Sequence, residues 1–267
     1  MDNFKKRILT SIILIFITVL AVVFYPICGI VVTLFIIIAL IEFFNMVENK
    51  GVKIFKSFGI IVGGLIPVSI YFKLSINETG QFLFVIAGLF TLFLLELTKK
   101  KNYEAVLSIS ATIFGILYIS WCFSFLIRIR QLPQGIWLAG FLLSVTKASD
   151  IGAYFFGKFY GRTPLIKRIS PYKSLEGAGG GLLLSIFVGL LFYFFVRDIF
   201  SFGEVVFLSS VLAIISQLGD LFESLIKRDC NLKDSSTILP GLGGLLDTID
   251  SIIFTAPTFY LYVVMGR

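Results

Sequence analysis

The sequence contains no histidine, only three cysteines and little charge, and each shortage excludes a class of protein. The absence of histidine removes the commonest zinc ligand and the commonest general base. The cysteines, Cys28, Cys122 and Cys230, are scattered and form no CxxC pair. Two of them lie in apolar runs and are expected to be small core residues. Cys230 lies in a charged segment, where we expect it to pack in a loop rather than to react.

Charged residues make up 15% of the 267 residues and hydrophobic residues 57%, with 30 phenylalanines. Soluble domains contain about 25% charged and about 45–50% apolar residues. A soluble fold of this length could not bury so much apolar surface, so most of that surface must face lipid or other helices. The composition therefore predicts an all-α, polytopic integral membrane protein.

Apolar runs of membrane-spanning length recur along the whole chain. The first run is long and a second follows at once, so we expect no cleaved signal peptide. We predict two regions: residues 1–130 are N-terminal transmembrane helices that form a scaffold and lipid groove, and residues 131–267 are a catalytic transmembrane region with two polar loops. The nine predicted spans are residues 8–25, 27–47, 54–72, 81–97, 105–127, 135–156, 176–196, 203–226 and 251–266.

The basic residues predict the orientation of the chain in the membrane. A cytoplasmic N-terminus puts 17 of the 23 Lys and Arg residues in cytoplasmic segments and five outside, which is a firm positive-inside pattern. Both long polar loops, residues 157–175 and 227–250, then lie on the cytoplasmic side of the inner (plasma) membrane. Basic loops beside anionic lipid explain most of the net charge of +7. Because that charge is spread over membrane loops, nucleic acid is not an expected partner.

Polar residues appear near the inner end of the sixth span and in the loop after it. Lys147 and Asp150 lie three residues apart on one helix face, so they can simply pair. Charges inside a span are rare, so they can equally mark a working site. In the loop of residues 169–177, Lys173 and Ser174 offer donors to phosphate. The glycines that follow are expected to serve helix packing rather than phosphate binding, because no strand precedes them.

Two pairs of carboxylates stand near the end of the eighth span and the start of the ninth. Asp220 and Glu223 share a helix face with Lys227, and the three can form a salt-bridged helix end. Asp247 and Asp250 follow a glycine-rich turn at a predicted helix N-terminus, where the helix dipole alone favours a carboxylate. Asp220, Asp247 and Asp250 could also converge on one or two hard cations. Oxygen ligands without histidine or clustered cysteine indicate Mg²⁺ rather than Zn²⁺, and a second cation is left open.

These residues carry a resemblance to a known family. The block SLIKRDCNLKDSSTILPGLGGLLDTID, residues 224–250, resembles the signature of the phosphatidate cytidylyltransferase (CDP-diacylglycerol synthase) family. The upstream pieces SDIGAYFFGKFYGR, SPYKSLEG and LGDLFESLIKR resemble that family's other motifs. The resemblance covers roughly the C-terminal half, from about residue 145. The N-terminal half is supported only by its pattern of spans.

The resemblance implies a reaction of phospholipid biosynthesis, in which CTP and phosphatidic acid give CDP-diacylglycerol and pyrophosphate with Mg²⁺. A lipid phosphate oxygen would attack the α-phosphorus of CTP, and lysines would stabilise charge on the transferring phosphates. Membrane lipid is a further expected partner, and a homodimer is left open. Catalysis is assigned to Asp220, Lys227, Lys233, Asp247 and Asp250, of which Asp220, Asp247 and Asp250 are the metal ligands. Substrate binding is assigned to Asp150, Lys173, Ser174, Glu223, Arg228 and Asp234.

Two positions depart from the family pattern. Leu242 stands where the family has His, and Thr248 stands where it has Arg, so a hydrogen-bonding group and a bidentate phosphate contact are missing. A phosphomonoester is already largely ionised at pH 7 and needs little help from a base, so a working enzyme is favoured. The alternatives are a weakly active or inactive homologue with a lipid-binding or partner role, a CTP-dependent lipid kinase or related synthase, and a transporter with an ion path through Lys147, Asp150 and Asp220.

Overall fold

Helices form most of the chain in a computed structural model that describes residues 3–74, 78–99 and 104–266. One stretch, Ile116–Trp121, is π-helical and lies within the continuous apolar span Ala105–Gln131. The α-helices are α1 (Asn3–Val23), α2 (Tyr25–Asn49), α3 (Lys56–Tyr71), α4 (Glu78–Leu97), α5 (Ala105–Gly115), α6 (Phe125–Gln131), α7 (Gly135–Tyr160), α8 (Leu175–Val196), α9 (Phe202–Asp229) and α10 (Leu246–Met265).

The predicted spans coincide with these helices, and the fifth span corresponds to the stretch from α5 through α6. Among the described residues, six stretches are long and apolar enough to cross a membrane. α3 and the Phe84–Leu97 part of α4 are shorter apolar helices. The all-α, multi-pass membrane class is therefore confirmed, whereas the count of nine spans stays a prediction. The six stretches are Lys5–Val23, Tyr25–Asn49, Ala105–Gln131, Leu175–Val196, Phe202–Asp229 and Leu246–Met265.

The hydrophobic core lies between α2, the π-helical stretch with α6, α7, α9 and α10. Large side chains such as Phe44, Phe141 and Phe259 are fully buried there. α1 contrasts with this core, because its Ile15 and Phe16 side chains are 64% and 63% exposed. Contiguous apolar surface of this kind is compatible with lipid rather than water. α1 therefore lies at the lipid boundary of the bundle.

Both polar loops lie at one end of the bundle. Arg228, near the end of α9, donates from Nε to the carbonyl oxygen of Ile169 in the first polar loop at 3.3 Å. Lys50, directly after α2, forms an ion pair of 2.5 Å with Asp229 at the end of α9. The helix ends that the alternating topology assigns to one side of the membrane therefore meet in the structure.

The first polar loop contains strands that the all-α prediction did not include. β1 (Pro164–Ile166) and β2 (Ser170–Ser174) form a small antiparallel hairpin in which Pro164 pairs with Ser174. Strands of three and five residues are too short to show an alternating apolar pattern, so the sequence did not indicate them. The expectation of a loop is corrected here. So is the premise that no strand precedes the glycines of α8, because β2 leads directly into that helix.

Glycines allow α7 and α8 to pack backbone against backbone. A Cβ atom on Gly177 would lie 2.8 Å from the carbonyl oxygen of Ala153, and a Cβ on Gly181 would lie 2.8 Å from that of Ser149. Real Cβ atoms do not approach so closely, so only glycine fits at these contacts. The predicted role of these glycines in helix packing is confirmed.

Replacing Gly181 by alanine should destabilise the bundle. We expect Gly181→Ala to lower the free energy of unfolding by about 1–3 kcal/mol, because the methyl group meets the α7 backbone. Gly179→Ala is the matched control, since a Cβ there meets no atom within 4 Å and alanine favours the helix. Thermal denaturation in detergent micelles gives the melting temperature of both variants. Equal melting temperatures would contradict the close packing of α7 on α8.

Candidate active site

A network of polar side chains joins α7, α9 and α10 inside the bundle. Lys147 Nζ lies 2.9 Å from Asp150 Oδ2 and donates to the carbonyl oxygen of Thr248 at 2.9 Å. Ser216 on α9 and Ser251 on α10 donate through their hydroxyls to Asp150 at 2.9 and 3.0 Å. The predicted pairing of Lys147 with Asp150 is confirmed, and it connects three helices.

Lys173 and Asp220 form an ion pair where the hairpin meets α9. Lys173 Nζ lies 2.6 Å from Asp220 Oδ1 and 3.4 Å from the Ser224 hydroxyl. Ser174 caps α8, because its hydroxyl accepts a hydrogen bond from the backbone N–H of Gly177 at 3.0 Å. The cap sets the direction of the chain entering α8, and with it the position of Lys173.

A cavity of about 760 Å³ opens between α7, the hairpin, α8 and α9. Four predicted site residues line it, namely Asp150, Lys173, Ser174 and Asp220. The volume falls within the range of roughly 300–1,000 Å³ that is usual for small-molecule and cofactor sites. Cationic and aromatic side chains complete the wall, so the cavity suits a phosphorylated ligand. These further lining residues include Tyr154, Lys158, Arg162 and Tyr172.

Lys227 does not line this cavity and lies between two carboxylates. It forms an ion pair with Glu223, one turn earlier on α9, and its Nζ lies 2.6 Å from Asp247 Oδ1 on α10. The side chains of Lys227, Glu223 and Asp247 are 12%, 0% and 11% exposed. Charges removed from water to this degree need close partners. The predicted salt-bridged helix end is confirmed for Glu223 and Lys227, whereas Asp220 pairs with Lys173 instead. Through Asp247 the cluster also ties α9 to α10.

Asp247 also organises the second polar loop, which the structure confines to residues 230–245. Its Oδ2 accepts hydrogen bonds from the backbone N–H and the hydroxyl of Ser235 at 3.0 and 2.9 Å. The same oxygen accepts a third hydrogen bond from the backbone N–H of Gly244 at 2.7 Å. Together with the contact of Oδ1 to Lys227, these bonds give both carboxylate oxygens partners within the protein.

Asp250 is 5% exposed and lies three residues after Asp247 in α10. Asp220, Glu223 and Asp150 all lie close enough to act on its charge. In the part of the chain that the structure describes, however, no group of three or more Cys, Asp or Glu residues could hold a metal ion. The predicted set of Asp220, Asp247 and Asp250 is therefore not assembled there, because Asp247 is turned toward the second polar loop.

Three further predicted residues lie away from the cavity wall. Arg228 donates from Nη1 to the carbonyl oxygen of Leu232 at 3.1 Å, in addition to its bond to the first polar loop. It therefore clamps the two polar loops together. Lys233 and Asp234 are exposed in the second polar loop. The substrate and catalytic roles assigned to these three residues stay predictions.

Sequence reasoning missed one acid that reaches the second polar loop, Glu42 of α2. Its side chain is 1% exposed and accepts hydrogen bonds from backbone N–H groups at the start of α10. A sequence signal was available, because a lone carboxylate inside an apolar span is rare and needs partners. The partner Leu245 lies 203 residues further along the chain, so the local sequence pattern could not identify it.

Cys230 is buried directly after α9. Burial raises the pKa of its thiol above the ordinary value, so the reactive thiolate is disfavoured. Cys28 is also buried and Cys122 is half-buried. These environments agree with the packing roles expected from the sequence.

The two departures from the family motifs lie on the turn and the first part of α10. Gly241 and Gly243 flank Leu242 with φ angles of +82° and +94°, a conformation that favours glycine. Leu242 is half-buried. Thr248 donates its hydroxyl to the carbonyl oxygen of Gly244 at 3.2 Å. Neither side chain lines the cavity.

A charged cavity at one end of an apolar helix bundle defines a membrane protein that handles polar ligands beside lipid. The chain matches the Cytidylyltransferase family over residues 5–265, and it belongs to that family. The phosphatidate cytidylyltransferase of Bacillus subtilis (strain 168) is 30% identical over 273 residues, covering 99% of each chain.

Two further relatives with the same name show how far the similarity extends. The protein of Thermotoga maritima is 32% identical over 270 residues, covering 98% of this chain and 96% of its own. That of Synechocystis sp. is 32% identical over 263 residues, covering 88% and 87%. The similarity therefore includes the N-terminal half, which the motifs alone did not reach.

Removing the lysine from the buried ion-pair cluster should destabilise the protein. We expect Lys227→Met to lower the free energy of unfolding by about 3–5 kcal/mol, because it leaves Glu223 and Asp247 without their buried counter-ion. Lys227→Met combined with Glu223→Gln should recover part of the loss, since Ser235 and Gly244 still hold Asp247. Denaturation in detergent micelles gives the free energy of unfolding of the unmodified protein and of the two variants.

The control for this experiment is Lys50→Met. Lys50 forms an ion pair with Asp229, but their side chains are 40% and 66% exposed. An exposed pair contributes at most about 1 kcal/mol, so this variant should remain close to the unmodified protein. If Lys227→Met were no less stable than Lys50→Met, the buried cluster would not have the structural role described.

Proposed function

We propose that the protein transfers a cytidylyl group from CTP to phosphatidic acid, giving CDP-diacylglycerol and pyrophosphate. The observation that carries the proposal is the cavity beside the Lys173–Asp220 ion pair, at the end of the bundle where the two polar loops meet. A water-borne nucleotide can enter such a cavity while a lipid approaches from the bilayer. The substrates follow from the name that the relatives share, phosphatidate cytidylyltransferase.

The cations of the cavity wall would bind the polyphosphate of CTP. Lys158, Arg162 and Lys173 line the cavity, and each can neutralise phosphate oxygens. Lys173 is paired with Asp220 at 2.6 Å. Phosphate binding would give this lysine a second anionic partner and release an Asp220 oxygen for another contact.

Mg²⁺ is the proposed cofactor, and Asp220 and Asp250 are the residues that would hold it. Asp250 is buried near three carboxylates, Asp220, Glu223 and Asp150, and one ammonium group, Lys147. A further cation would reduce the repulsion among these carboxylates. Protein sites commonly bind Mg²⁺ with one or two carboxylates plus substrate phosphates, so a third ligand is not required. When bound, the ion would offset negative charge on the triphosphate and the departing pyrophosphate.

The lipid phosphate would act as the nucleophile. One of its oxygens forms a bond to the α-phosphorus of CTP, the bond from that phosphorus to the α–β bridging oxygen breaks, and pyrophosphate leaves with that oxygen. A phosphomonoester is largely ionised at pH 7, so a chain without histidine can support the step without a general base. Lys227 does not line the cavity, and its charge is balanced by two carboxylates, so its part in the reaction would be to hold α9 against α10.

We place this multi-pass protein in the inner (plasma) membrane, with the cavity on the cytoplasmic side. The support is the distribution of basic residues, 17 of 23 of which fall on segments at that side. Lys50 and Arg228 lie at the same end as the cavity, through their contacts with Asp229 and the first polar loop. CTP is a cytoplasmic metabolite, so this orientation gives the site access to it.

Removing the proposed metal ligand at the cavity should abolish most of the activity. We expect Asp220→Asn to lower the rate of CDP-diacylglycerol formation by at least about a hundredfold, because changes even outside the first ligand shell cost 10–100-fold. Asp198→Asn, exposed at the opposite end of the bundle, is the control and should match the unmodified enzyme. Product and pyrophosphate are measured in micelles with CTP, phosphatidic acid and Mg²⁺. Unmodified protein no more active than Asp220→Asn would refute the proposal.

Restoring the two family residues tests whether the site is complete without them. We expect Leu242→His combined with Thr248→Arg to change the rate by less than about tenfold, because the ionised nucleophile needs little base catalysis. The same assay, with both single variants as controls, provides the comparison. A gain approaching the 10²–10⁴-fold typical of a general base would mean that the native site is impaired.

A further inference from the structure

Glu42 lies deep in the bundle and has a complete set of hydrogen-bond donors. The residue is 1% exposed, on a helix whose other residues are mostly apolar. Its Oε1 accepts from the Ser236 hydroxyl at 2.6 Å and from the backbone N–H of Leu245 at 2.9 Å. Its Oε2 accepts from the Ser235 hydroxyl at 3.2 Å and from the backbone N–H of Leu246 at 2.8 Å.

Two of these donors are backbone groups at the N-terminus of α10. The first N–H groups of a helix have no partner within the helix, and the residue preceding α10, Leu245, has no side chain that could cap it. Glu42 supplies the missing acceptors from another helix, and its negative charge faces the positive end of the α10 dipole. The N-terminal region of the chain thereby sets where α10 begins.

The same contacts lead directly to the proposed catalytic groups. The Ser235 hydroxyl lies between Glu42 Oε2 and Asp247 Oδ2, at 3.2 and 2.9 Å. A hydroxyl has one proton, so these two carboxylates share a single donor. A Cβ atom on Gly244 would lie 2.7 Å from Glu42 Oε2, so the loop is closely wrapped around this side chain. A displacement of Glu42 would therefore move Asp247 and, through it, Lys227.

We propose that Glu42 is a positioning residue of the transfer reaction, which acts from α2 by holding the second polar loop and the start of α10 in the orientation that Asp247 and Asp250 require. The inference rests on the proposed function. Glu42 does not line the cavity, so its effect reaches the substrates only through those residues. A role limited to stability would leave the kinetic constants of the folded enzyme unchanged.

Glu42→Gln is the principal test, because the amide keeps the size of the side chain and replaces one acceptor by a donor that faces other donors. We expect kcat to fall about 10–100-fold, as for other residues that orient catalytic groups. The KM for CTP should stay within about threefold, since the cavity wall is untouched. Glu42→Asp should rescue little, because the shortened side chain cannot reach both backbone N–H groups.

Glu96→Gln is the matched control. Glu96 is also a buried acid, 8% exposed, but its carboxylate pairs with Lys99 at 2.8 Å, away from α10. Ser236→Ala disturbs the Glu42 contact less, because it removes only one hydrogen-bond donor, the hydroxyl of a half-buried loop residue. We expect it to lower kcat by about three- to tenfold, because one hydrogen bond to a charged group is lost.

Amide hydrogen exchange gives a readout that does not depend on activity. In Glu42→Gln and Ser236→Ala, exchange at Leu245 and Leu246 should accelerate, whereas exchange in α8 should not change. Unchanged exchange there, an unchanged kcat in Glu42→Gln, or an equal loss in Glu96→Gln would overturn the positioning role. An unmodified protein that makes no CDP-diacylglycerol would refute the proposed function instead, while the exchange data would still decide whether Glu42 positions α10.

Discussion

The ion pairs of Lys227 with Glu223 and Asp247 are the contact on which the rest of the site depends. They bring α9 and α10 together at the end of the bundle where both polar loops lie. Asp247 then holds the second polar loop through Ser235 and Gly244. Because these charges are nearly removed from water, loss of Lys227 would leave both carboxylates without their counter-ion. The ion-pair cluster therefore holds α9 and α10 together near the cavity.

The cavity itself is built differently, from parts that remain accessible. Asp220 is 40% exposed, and its partner Lys173 belongs to a short hairpin rather than to the helix bundle. The contrast suits nucleotidyl transfer, in which polyphosphate must enter, react and leave. Groups that exchange partners line the cavity, whereas the groups that must stay in place do not line it.

Local sequence patterns predicted much of this arrangement. Apolar runs predicted the helices, because each run must bury or expose its side chains to lipid as a unit. The three-residue spacing of Lys147 and Asp150, and the four-residue spacing of Glu223 and Lys227, predicted contacts along one helix face. The glycines at the start of α8 likewise predicted close packing, which Gly177 and Gly181 show.

Contacts between distant segments were beyond such patterns. The Asp247 carboxylate was expected to bind metal with Asp220 and Asp250, but the structure turns it toward Ser235, Gly244 and Lys227. Glu42 was overlooked because its partners lie about 200 residues away, on elements whose positions depend on the whole bundle. The hairpin was missed because its strands are too short for a periodic signal.

Cytidylyl transfer moves the α-phosphate of CTP, and not the γ-phosphate, to the lipid. The direct measurement uses purified protein, phosphatidic acid and CTP that carries radioactive phosphorus at either the α or the γ position. For cytidylyl transfer we expect the α label in the lipid product and the γ label in pyrophosphate. Appearance of γ label in a lipid would contradict it and would identify a CTP-dependent kinase.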